Sequence, residues 1–127
     1  MRKLLLLPLL MFSLHSFAGW EMMLCDSVDE KGNCKNKSEN FTFSENLYVT
    51  VLLSNASGLQ TEKIYFEISL LDTTTYAEEL ISTEETKTQS ASLYTAHSIH
   101  FTKRGHYVIK ARDQYKDYIT SREVEVK

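Results

Sequence analysis

Apolar and polar side chains alternate with a period of two through most of this chain, and no long stretch replaces that alternation with a helical period. In residues 47–54, Leu47, Val49, Val51 and Leu53 fall on one face and Tyr48, Thr50, Leu52 and Ser54 on the other. Residues 63–72 repeat the pattern, with Ile64, Phe66, Ile68 and Leu70 opposite Tyr65, Glu67, Ser69 and Leu71. Leu93, Ile99 and Phe101 share a parity, and a Lys103-Arg104-Gly105 corner follows. Tyr107, Ile109 and Ala111 then face away from Lys110 and Arg112, and a turn over 113–117 leads to a last run with Val124 and Val126 on one side. The apolar run 20–24 reads as a first strand, and Phe41 and Phe43 share a face farther on. Residues 76–89 fit either a short helical turn or an edge strand; their Ser and Thr content and the flanking strands favour the strand. Turn signals at Ser44-Glu45-Asn46 and Asn55-Ala56-Ser57-Gly58 separate the runs. The pattern predicts an all-β domain of about seven strands in two packed antiparallel sheets, with a small barrel as the second choice.

The first 18 residues stand apart. Arg2 and Lys3 precede an apolar run broken only by Pro8 and Ser13, and Ser16-Phe17-Ala18 supplies small residues before Gly19. That layout is expected of a signal peptide cleaved after Ala18, and the run is short of the roughly 20 apolar residues a membrane span needs. An exported protein, periplasmic or secreted, is the expectation, with residues 19–127 forming one domain, taken as a monomer. Without Arg2 and Lys3 the chain has 12 basic and 17 acidic residues, which argues against nucleic acid as a partner. The charge is uneven: residues 19–102 carry −8, whereas 103–127 carry +3. In an oxidising compartment the two cysteines, Cys25 and Cys34, are expected to form a disulfide around an acidic loop. Asp26, Asp29 and Glu30 in that loop do not have the spacing of an EF-hand.

Residues 101–113, Phe-Thr-Lys-Arg-Gly-His-Tyr-Val-Ile-Lys-Ala-Arg-Asp, resemble the start of the penultimate strand in immunoglobulin-like domains of exported bacterial proteins. The resemblance implies an immunoglobulin-like antiparallel β-sandwich in which Gly105 precedes an inward Tyr107. It also implies that Tyr107 is a buried corner tyrosine whose hydroxyl bonds nearby backbone. The inter-sheet cysteine pair and central Trp of antibody domains have no counterpart in this sequence.

No phosphate loop, nucleophile elbow or zinc-ligand helix is present, so the chain reads as a binding protein without catalysis or cofactor. His97, His100 and His106 crowd one strand pair; His100 and His106 could meet across a hairpin, which keeps a metal-handling protein as the outlying alternative. Three sequons begin at Asn36, Asn40 and Asn55. The strongest candidate surface is the basic end of the chain, where Arg112, Lys116 and Arg122 interleave with Tyr115 and Tyr118, residue types that anchor protein interfaces. The first expectation is therefore an exported interaction module whose partner is a protein or cell-envelope component. The second is a stoichiometric inhibitor or immunity protein that blocks an enzyme with the disulfide loop.

Overall fold

The computed structural model describes residues 19–127; the expected signal peptide, residues 1–18, lies outside the described residues. Ten strands and no helix occur in the described part: β1 (Trp20–Cys25), β2 (Ser27–Val28), β3 (Cys34–Lys35), β4 (Asn40–Phe41), β5 (Tyr48–Asn55), β6 (Lys63–Leu71), β7 (Glu78–Lys87), β8 (Tyr94–His100), β9 (Gly105–Arg112) and β10 (Tyr118–Val126). Seven of them are six residues or longer, and the segment that could have been helical is the edge strand β7. One sheet has the order β1-β5-β8, the other β4-β10-β9-β6-β7, and β2 and β3 form a small ribbon. Pairing is antiparallel except between β4 and β10, which run parallel over two residues.

The two sheets pack together through the faces that the alternation marks as apolar. Met22, Leu24, Val49, Val51, Leu53 and Ile99 of the smaller sheet meet Ile64, Phe66, Ile68, Ile109, Val124 and Val126 of the larger one. Each is almost fully removed from water. Burying a side chain of this size contributes roughly 1.5–3 kcal/mol, so this shared layer is what holds the sheets together.

Period two tells which way a side chain points but not which sheet its strand joins. The segment after β8 therefore departs from the expected hairpin: β8 pairs with β5, and β9 pairs with β6 and β10, so residues 101–104 cross between layers. Phe101 stays in the core during the crossing, its ring 4.8 Å from that of Tyr107, and its N–H donates to the Leu47 carbonyl. Tyr107 is buried, and its hydroxyl donates to the Lys103 carbonyl at 2.8 Å, closing the corner. Desolvation of the ring raises the Tyr107 pKa above the usual phenol value. A Cβ on Gly105 would stand 2.7 Å from Leu70 Cδ1, so a side chain there would push the end of Leu70 aside.

Cys25 and Cys34 form the expected disulfide, with Cα atoms 5.5 Å apart. Cys25 sits opposite Thr50 on the outer face of the small sheet, and the β2–β3 ribbon folds back over that face. Gly32, at φ 81°, lets the ribbon tip lie against the Tyr94 ring, and a Cβ there would come within 2.6 Å of it. Asp29 shapes the tip by accepting the N–H groups of Asn33 and Lys31, each at 2.9 Å.

Those bonds, the one from Asn33 foremost, hold the Asp29 pKa below the ordinary carboxylate range. A carboxyl depressed by folding stabilises fully above its unfolded value and loses that contribution as pH falls through the folded value. Amide resonances of Lys31 and Asn33 should therefore titrate together at a pH below about 3.9, the unperturbed Asp value. A common midpoint at or above that value would show the turn is not held this way.

Candidate functional site

The turn joining β9 to β10 is built by Asp113. Its Oδ1 accepts the N–H groups of Tyr115 at 2.9 Å and Asp117 at 3.0 Å, while its carbonyl accepts the Lys116 N–H. These bonds hold Lys116 at φ 68° and set Tyr115 at the tip, 75% exposed. An Asp at the first turn position suits this loop, because its short carboxylate reaches backbone two and four residues on.

Four strands place one row of side chains on the outer face of the large sheet beside this turn. Tyr118 of β10 pairs with Arg112 of β9, Arg112 with Tyr65 of β6, and Tyr65 with Glu85 of β7. Arg112 Nε donates to Glu67 Oε1 at 3.0 Å and its Nη1 to the Lys116 carbonyl at 3.2 Å, so the guanidinium is fixed from two sides. It lies 6.0 Å from the Tyr118 ring centre, and the Lys116 and Lys63 ammonium groups lie 5.2 and 5.6 Å from that of Tyr65. Lys63 also meets Glu85 at 3.4 Å, and that hydrogen bond raises its pKa. The result is a face of cations and aromatic rings held in place by the sheet register and by one turn.

Arg112, Tyr115, Lys116 and Tyr118 are thus brought to one end of the large sheet. Arg122 is not: it pairs with Ile109 on the core side, its Nε donates to the Met22 carbonyl at 2.8 Å, and its Nη1 meets Glu39 at 3.3 Å. It clamps β10 to the edge of the small sheet. The cause is a bulge at Ile119, which breaks the alternation so that Tyr118 faces outward while Thr120 and Arg122 face inward. Nothing in the residue types of 118–122 marks that bulge. Lys63, Glu67 and Glu85, which complete the face, were missed because strand pairing alone brings β6 and β7 beside Arg112.

The histidines do not converge. His100 and His106 belong to strands of different sheets, which corrects the expectation that they meet across a hairpin. His100 stacks on Tyr48, ring centres 4.5 Å apart, and its Nε2 donates to the Glu45 carbonyl at 2.9 Å; His106 meets Glu123 at 2.8 Å. His97 lies against Phe66 and bonds Glu84 at 2.6 Å, linking β8 to β7 across the rim of the two sheets. Among the described residues no group of three His, Cys, Asp or Glu side chains is placed to hold a metal ion. Of the sequon asparagines, Asn55 is buried with its Oδ1 accepting the Ser57 N–H, whereas Asn36 and Asn40 are exposed.

No protein-family model and no curated protein matches this chain. The site's side chains offer charge, hydrogen-bond donors and aromatic area.

Proposed function

We propose that this protein is an exported, non-catalytic interaction module of immunoglobulin-like fold. Its partner, a protein or cell-envelope component, docks on the outer face of the large sheet at the β9–β10 turn. The observation that carries the reading is the Tyr118-Arg112-Tyr65 row, its guanidinium held by Glu67 and the Lys116 carbonyl, with Tyr115 and Lys116 beside it on a turn built by Asp113. Preordered Tyr and Arg side chains lose little conformational freedom on binding, which is why such residues dominate interface energetics. The fold assignment is supported by the strand order β1-β5-β8 against β10-β9-β6-β7, by the layer crossing from β8 to β9, and by the hydroxyl of Tyr107 on a carbonyl four residues upstream. Export is supported by the disulfide, a bond that persists in oxidising compartments. No helix among the described residues is long and apolar enough to cross a membrane.

The test uses the protein as bait for an envelope fraction in three forms: wild type, Tyr115→Ala/Lys116→Ala, and Glu30→Ala/Lys31→Ala in the disulfide ribbon. The turn variant should lose a partner that the other two retain, with affinity down by about 2 kcal/mol or more and an unchanged urea midpoint. Loss by the ribbon variant alone would transfer the function to the ribbon and favour the inhibitor reading.

A further inference from the structure

The face described above borders a groove of about 410 Å³ lined by Glu62, Lys63, Tyr65, Lys87, Thr88 and Gln114. Its lining holds two lysines and one carboxylate, Glu62. Lys63 and Lys87 are direct cross-strand partners on β6 and β7, and like charges placed opposite each other destabilise a sheet. Lys63 is compensated by Glu85, but Lys87 makes no ion pair among the described residues, and Lys116 lies over the Tyr65 ring rather than against a carboxylate. Gln114 adds donors to the same place. Its Oε1 accepts the Glu62 N–H at 2.9 Å and its own N–H donates to Thr61 Oγ1, while its Nε2 hydrogens have no acceptor among the described residues.

We propose that this groove receives carboxylate side chains of an acidic protein segment, with Lys87, Lys116 and the Gln114 amide as donors and Tyr65 as the packing surface. The proposal deepens the interaction reading above and rests on it. An anion there would relieve the Lys63 and Lys87 repulsion and accept from donors that have no acceptor among the described residues. Glu62 in the lining and Glu85 beside Lys63 oppose a densely charged polymer more than spaced carboxylates, because each added anionic group meets their repulsion. Exposed Tyr115 and Tyr118 next to the groove suit a polypeptide, whose apolar groups can pack where the carboxylates are held.

Fluorescence anisotropy at low ionic strength tests this with three probes: a labelled ten-residue peptide alternating Glu and Ser, its Gln counterpart, and a labelled heparin oligosaccharide. The Glu peptide should bind, the Gln peptide should not, and added salt should weaken binding as it screens the pairs. Lys87→Gln/Lys116→Gln should weaken the Glu peptide by about three- to tenfold, as expected for removing two solvent-exposed charge pairs. A control with Lys31→Gln/Lys35→Gln removes the same charge from the disulfide ribbon and should leave affinity unchanged. Equal losses in both double variants would mean a net-charge effect and overturn the proposal, as would a Lys87- and Lys116-dependent preference for the heparin oligosaccharide. If the Glu peptide fails to bind while the Tyr115→Ala/Lys116→Ala bait still loses its envelope partner, the carboxylate chemistry is wrong and the interaction surface stands.

Discussion

Replacing Tyr107 by Ala should lower the free energy of unfolding by about 3–5 kcal/mol, the range for emptying a large buried aromatic site. The ring is 5% exposed and packs on Phe101 where the chain crosses from one sheet to the other, so no neighbour can close the space without moving the crossing. Tyr107→Phe separates the two contributions. It keeps the packing and removes only the hydroxyl bond to the Lys103 carbonyl, which is worth about 0.5–1.5 kcal/mol in net terms. Urea midpoints for wild type and both variants decide the matter. An Ala variant within about 0.5 kcal/mol of wild type would make Tyr107 a surface residue and remove the argument for the corner. A Phe variant as damaged as the Ala variant would mean the hydroxyl bond, not the ring, organises the crossing.

That corner also marks how far the sequence could be read. Period-two alternation assigns inner and outer faces correctly wherever a strand is regular: Val49, Val51 and Leu53 in β5, and Ile64, Phe66 and Ile68 in β6, are all in the core. It fails at two kinds of position. One is the sheet change between β8 and β9, since a side chain facing the core looks the same from either layer. The other is the bulge, because one extra residue at Ile119 reverses the parity of everything before it. Leu93 is a related case: it shares the parity of Ile99 and Phe101 but lies before β8 begins and is exposed. Of the cluster at the turn, Arg112, Tyr115, Lys116 and Tyr118 are close in sequence and so could be grouped by eye. The groove's Lys63, Lys87 and Gln114 come from three separated segments, joined by the β6–β7 register and by the bonds of Gln114 to Glu62 and Thr61.

Removing the disulfide by Cys25→Ala/Cys34→Ala should cost roughly 2–3 kcal/mol, the chain-entropy value for a loop this short. The location of the loss can be foreseen as well as its size. Cys25 is fully buried on the outer face of the small sheet, beneath a ribbon whose remaining attachments are few. They are the Ser38 N–H to the Leu24 carbonyl, the Tyr94 hydroxyl to the Glu30 carbonyl, and the packing of Gly32 on the Tyr94 ring. Freed of the bond, the ribbon should open more readily than the sheets it covers, because local openings require less free energy than global unfolding. Hydrogen exchange should then quicken first in 26–36 and at Leu52, whose side chain lies on the covered face, while β9 and β10 slow or quicken only with global stability. Faster exchange in β9 and β10 beyond that global change would mean the disulfide supports the proposed binding face. An unchanged unfolding midpoint would show that the bond fastens a ribbon already held by its other contacts.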